Sequence, residues 1–171
     1  PSILHCVPLF HVTGSHAGFL MSVLSGRKMV LMSKWDVSLA LELIQNEKIT
    51  AITGVPTQTW DILNHPEKDK YDLSSLVDLS GGGAPRPPEH VKRLNDEMEG
   101  KPSIGYGLSE TNALGTLNAG DDYLKHPSSC GRAVPPVTDV AIVDQDWNFL
   151  NEGDHGEVVI KSPANMIGYW D

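Results

Sequence analysis

From residue 3 to residue 104 the chain alternates short β-branched or apolar runs with runs at helical spacing, and this alternation limits the possible folds. Ile3-Leu4-His5-Cys6-Val7 reads as a strand that ends at Pro8, since proline cannot donate to a ladder. Residues 28–32, 50–55, 77–80 and 102–104 read as four more. Between them lie four helices. Phe19, Leu20, Val23 and Leu24 recur at helical spacing, with Gly26 as C-terminal cap. Asp36 is placed to cap a helix from Val37, with Leu39, Ala40, Leu43 and Ile44 on its buried face. Pro56 opens a third helix that turns Trp60 and Leu63 inward and stops by Pro66. Pro87 and Pro88 open a fourth, with Val91, Leu94 and Met98 inward and Gly100 as cap.

Such alternation predicts a parallel sheet with right-handed crossovers. Every loop that follows a strand then lies on one edge, where ligands bind. Loops 10–14, 54–57, 81–85 and 105–111 are expected to converge there. After Asn118 the rhythm stops. Gly120-Asp121-Asp122 reads as a turn and 125–132 as loop. Residues 139–144 and 157–161 read as antiparallel strands, with Asn151-Glu152-Gly153-Asp154 turning between them. The expected fold class is α/β: a parallel sheet with alternating helices, then the beginning of a small antiparallel β subdomain. The boundary is placed between residues 1–125 and 126–171.

The formal charge is −9, with 22 acidic against 13 basic residues and no basic block, which argues against a nucleic-acid partner. No run approaches the ~18 apolar residues of an integral membrane segment. Cys6 and Cys130 are far apart with no CxxC, so the cytoplasm is the expected location and both are read as packing residues. Trp35, Trp60, Trp147 and Trp170 are scattered and also read as packing. The chain begins at Pro1 without an initiator Met, so a piece of something longer is expected.

The chemistry concentrates in Gly105-Tyr106-Gly107-Leu108-Ser109-Glu110-Thr111. Glycines admit a ligand close to the backbone, the ring can stack, hydroxyls can bond phosphate, and a carboxylate can hold Mg²⁺. The plainer alternative is a helix entry with Ser109 as N-cap and Glu110 near the positive dipole end. Gly81-Gly82-Gly83-Ala84-Pro85 is the second candidate, and it is neither a Walker loop nor a dinucleotide fingerprint. His11 is the third, in a loop predicted to face the other two. His16 reads as structural, and no spacing suits zinc. There is no G-x-S-x-G elbow, since Glu110-Thr111 follows Ser109.

With Pro8-Leu9-Phe10-His11, Gly81-Gly82-Gly83-Ala84-Pro85, the 105–111 loop, and Gly156-Glu157-Val158-Val159-Ile160 leading to Gly168-Tyr169-Trp170, the chain resembles the adenylate-forming superfamily. That resemblance, to acyl-CoA synthetases above all, covers essentially the whole chain. It implies that ATP and a carboxylic acid yield an acyl-adenylate and pyrophosphate, and that the thiol of coenzyme A then takes the acyl group, as in fatty acid metabolism. It implies Tyr106 stacked on adenine, with Gly82, Gly83, Ala84 and Pro85 lining the base beside Gly107. Ser109 would bond phosphate and Glu110 would hold Mg²⁺. His11 would lie near the substrate carboxylate, and Gly54, Val55, Gly105 and Leu108 would border the acyl pocket. Catalysis would fall to His11, Ser109 and Glu110. Ser109 stands where such enzymes commonly carry threonine, with the hydroxyl retained. The family's phosphate loop, ribose aspartate and catalytic lysine are not in the sequence, so this piece is expected not to catalyse adenylation alone. An amino-acid or aryl-acid adenylation domain is one alternative, a non-catalytic nucleotide-binding module another. The oligomeric state is open.

Overall fold

A computed structural model describes residues 1–170. Five parallel strands form the body of one sheet: β1 (Ser2–His5), β2 (Lys28–Leu31), β3 (Ala51–Gly54), β4 (Asp78–Gly82) and β5 (Lys101–Tyr106). Their spatial order is β2-β1-β3-β4-β5, and β6 (Thr116–Ala119) and β7 (Arg132–Ala133) extend the sheet antiparallel beyond β5. A separate antiparallel pair, β8 (Asp139–Val143) with β9 (Glu157–Lys161), follows. The fold class read from the sequence is the one observed. β6 and β7 are additions: the sequence pattern places no strand between residues 105 and 139, with 120–122 as turn and 125–132 as loop, yet Thr116 and Asn118 are buried on one side of β6 while Leu117 and Ala119 are exposed.

Helices cover both faces. Successive strand residues point to opposite sides. Leu4 therefore enters the main core, while the neighbouring His5 ring lies against Gly18 of a π-helical turn, Thr13–Leu20, which runs into α1 (Met21–Ser25). On the Leu4 face sit α2 (Val37–Glu47), α3 (Pro56–Asn64) and α4 (Pro88–Glu97), with Ile44, Ile52, Ile62, Leu79 and Leu94 packed together. α5 (Gly120–Lys125) adds Tyr123 to a smaller cluster with Val91 and Ile104. Gly120-Asp121-Asp122 therefore opens a helix instead of forming an isolated turn.

The local rules behind these elements are visible. The Asp36 carboxylate accepts from the Leu39 N–H at 3.0 Å, capping α2 as expected. Gly26 closes α1 in the left-handed conformation, and Pro56 stands at the first turn of α3. Some faces were misjudged. Leu41, not Leu39, is buried on α2, because the face is set by Ala40, Leu41 and Ile44 together. Trp60 stands outward on α3, its ring edge-on to His90 at 5.0 Å and the Arg93 guanidinium 5.3 Å above it. α4 ends in extended backbone at Met98 and not on Gly100; a Cβ on Gly100 would meet the Leu76 carbonyl at 2.6 Å, so close packing explains that glycine. Trp147, Trp170 and Cys130 are exposed, not packed.

Candidate nucleotide-binding site

The strands β3, β4 and β5 end in a row of glycines. Gly54 pairs with Gly81, and Gly82 pairs with Gly105. β4 thus runs through two of the three glycines that the sequence reading placed in a loop, and β5 carries Gly105 and Tyr106. The missing side chains let others lie flat on the sheet: a Cβ on Gly54 would meet the Gln58 Oε1 at 1.9 Å, and one on Gly105 the Leu114 Cδ1 at 2.5 Å. The chain leaves β4 at Gly83, whose φ of +76° is left-handed and favours glycine. Val55, exposed after β3, has the side chain nearest to that turn.

Beyond these strand ends lies a cavity of about 420 Å³, within the range of small-molecule sites. Gly83, Ala84 and Pro85 form one side; Tyr106, Gly107 and Leu108 form another; Cys130 stands at its rim. Gly107 is required by close approach, since a Cβ there would fall 1.7 Å from the Ala113 carbonyl oxygen. That contact belongs to a compact turn, Ser109–Thr111, that follows the cavity wall. Its entry is capped by Thr111 and not by Ser109: Thr111 Oγ1 accepts from the Leu108 N–H at 3.0 Å. Ser109 is left exposed with its hydroxyl available.

Glu110 sits in the same turn. Its Oε1 accepts from the Tyr169 phenol, and this bond, ahead of its own backbone N–H, holds its carboxyl below the usual glutamate range. Among the described residues no cluster of three or more acidic, histidine or cysteine side chains could hold a metal. A single carboxylate nonetheless suits Mg²⁺, which keeps several waters and takes its remaining ligands from substrate phosphates.

The sequence-designated residues are thus gathered unevenly. Gly83, Ala84, Pro85, Gly105, Tyr106, Gly107 and Leu108 share one cavity. Gly82 and Gly54 stand on the adjoining strand ends. His11 is exposed, accepts from the Thr13 N–H at 3.1 Å through Nδ1, and does not line that cavity. A different hollow of about 610 Å³ lies beside Pro8, Leu9 and Phe10 at the end of β1.

Two neighbours of the site were missed. Arg86 directly follows the glycine turn and is buried, its guanidinium donating to the carbonyls of Ser103 at 3.2 Å and Leu79 at 3.4 Å. A charged residue between Pro85 and the helix-opening prolines was a readable signal that the turn is tied to the sheet. Tyr169 was the other, and no spacing in the sequence connects it to Glu110, 59 residues away.

Comparison with known proteins agrees with this architecture. The AMP-binding enzyme family model matches residues 1–170. A long-chain-fatty-acid–CoA ligase of Bacillus subtilis is 36% identical over 170 residues, 99% of this chain and 30% of the relative. The mitochondrial medium-chain acyl-CoA ligase ACSF2 of Mus musculus is 32% identical over 95% of this chain and 27% of its own length. The N-terminal domain of FACL13 from Mycobacterium tuberculosis superposes with a TM-score of 0.90 at 30% identity, over 99% of this chain and 42% of that one. O-succinylbenzoate coenzyme A synthetase from Bacillus subtilis, in complex with ATP and magnesium ion, gives 0.85 at 25% identity, over 98% of this chain and 34% of that one. The chain spans 27–30% of the length of these two curated relatives. The glycine-ended parallel strands, the cavity beside Tyr106 and the match along residues 1–170 lead to one conclusion: the chain belongs to the AMP-binding enzyme family.

Proposed function

We propose that the chain forms the nucleotide- and acyl-binding core of an ATP-dependent acyl-CoA synthetase. The observation that carries this reading is the cavity that the β4 and β5 strand ends build around Tyr106. Adenine stacks on Tyr106 against the backbone of Gly82, Gly83, Ala84 and Pro85, with Gly107 admitting the ligand. The Ser109 hydroxyl donates to a phosphate oxygen, and Glu110 holds Mg²⁺, which when bound neutralises charge on the phosphates. A substrate carboxylate oxygen attacks the α-phosphorus, the bond to pyrophosphate breaks, and an acyl-adenylate forms. The coenzyme A thiol then attacks the acyl carbon and AMP leaves. His11 serves the carboxylate end, and Gly54, Val55, Gly105 and Leu108 border the acyl group. Relatives named for fatty acids and medium-chain acyl groups favour an aliphatic acid as substrate. No helix among the described residues is long and apolar enough to cross a membrane. Two cysteines far apart without a CxxC suit a reducing compartment, and on that ground we assign the cytoplasm as the site of action.

The test is pyrophosphate release by the full-length protein, with ATP, Mg²⁺ and a panel of aliphatic, aryl and amino acids. Aliphatic acids should give turnover that Tyr106→Ala lowers mainly through KM for ATP. Turnover confined to amino acids, or none with any acid, would contradict the reading.

A further inference from the structure

Three contacts tie the turn that carries Glu110 to a distant stretch of chain beyond β9. The Met166 N–H donates to the Glu110 carbonyl at 2.8 Å. The Asn112 side-chain amide donates to the Ala164 carbonyl at 2.6 Å. The Tyr169 phenol donates to Glu110 Oε1. The stretch is itself folded: Ser162 Oγ accepts from the Ala164 N–H at 3.1 Å, the Ser162 carbonyl accepts from the Asn165 N–H at 3.1 Å, and the Asn165 amide reaches back to the Ile160 carbonyl at 2.8 Å. Residues 160–169 therefore form a strap over the turn, and the strap delivers the phenol.

A glutamate on a short turn has freely rotating torsions, and holding it in one geometry costs conformational entropy. Mg²⁺ accepts little deviation from octahedral geometry. Among the described residues no group of three or more acidic, histidine or cysteine side chains gathers to share a cation, so the geometry of this one carboxylate rests on its bond to the Tyr169 phenol. We propose that Tyr169 is a positioning residue for Glu110: its phenol holds Oε1 and leaves Oε2 as the oxygen that meets a divalent cation. The inference rests on Glu110 being the cation-binding carboxylate. Tyr169 never touches the cation. It acts as partners of ligating carboxylates do, whose loss typically weakens metal binding about 10- to 100-fold. Because Tyr169 is largely exposed, removing its hydroxyl takes nothing from the core.

The test uses the ¹⁵N-labelled chain with Mn²⁺ alone as probe, following paramagnetic broadening of the Ser109 and Thr111 amides and hydrogen exchange at Met166. Wild type should broaden in a saturable way, and Glu110→Gln should abolish the effect. Tyr169→Phe should need about tenfold more Mn²⁺, with the Met166 amide still protected. Unchanged broadening in Tyr169→Phe, where Glu110→Gln removes it, overturns the role of Tyr169. A Met166 amide that exchanges freely in Tyr169→Phe also overturns it, since the phenol would then be tethering the strap. Broadening that survives Glu110→Gln overturns instead the reading of Glu110 as cation ligand.

Discussion

Gly107 and Gly120 show how differently two glycines constrain this chain. At Gly107 a Cβ would collide with backbone at 1.7 Å, which no side-chain movement relieves. Gly120 has a φ of +60° with open space around it. Gly107→Ala should therefore lower stability by roughly 3 kcal/mol, against about 1 kcal/mol for Gly120→Ala. Urea unfolding of both variants compares them, and equal losses would contradict the close-approach argument. His90 gives a pH-dependent case. Burial, helped by the Arg86 and Arg93 charges, pushes its pKa down to about 4. The unfolded imidazole titrates near 6.5. Between those values the unfolded state binds more protons, so the His90 contribution is complete above about pH 6.5 and falls away as pH drops toward 4. It amounts at most to roughly 3 kcal/mol. His5, also shifted down mainly by burial, adds in the same direction. His90→Gln should flatten the decline in urea midpoint across this window; parallel curves would refute the assignment.

Elements were legible wherever a local rule and a packing rule agreed. Asp36, Pro56 and Gly26 mark helix ends by chemistry that acts within one turn, and the structure places all three as read. Asp36→Ala should cost about 1 kcal/mol in chemical denaturation, and no measurable change would mean that tertiary contacts alone hold α2. Faces were less legible. Leu39 and Leu41 are equally apolar, and only the elements packed against α2 decide which one is buried. Trp60 was assigned inward on hydrophobicity, yet its ring meets a histidine edge and a guanidinium at the surface. β6 and β7 escape the sequence pattern because β6 pairs antiparallel with β5 and β7 antiparallel with β6, outside the strand–helix alternation, through residues of weak β character such as Asn118. The glycine runs were found as signals but assigned to loops, because a sequence does not show that Gln58 and Leu114 fill the space beside them.

Across the whole molecule, the parallel order of strands brings loops from residues 55, 83 and 107 to one edge, as the alternation implied. The same order explains what stayed hidden. Phe19, Leu20, Val23 and Leu24 have helical spacing but are exposed, with Leu31 and Phe10 exposed as well. Periodicity identifies a face suited to burial and carries no information on what lies against it. His11 follows β1 in the chain and lines neither the cavity beside Tyr106 nor the hollow beside Pro8, Leu9 and Phe10. The Tyr169 contact was illegible for a related reason, since it depends on how the strap crosses the turn that carries Glu110. The central claim is that a nucleotide occupies the cavity between the glycine turn and Tyr106. Calorimetric titration of the chain with AMP, beside Tyr106→Ala, tests it most directly. Saturable binding weakened by about tenfold in the variant is the expected result, as for loss of one base–aromatic stack; equal affinity in both proteins, or no binding by wild type, would contradict the account.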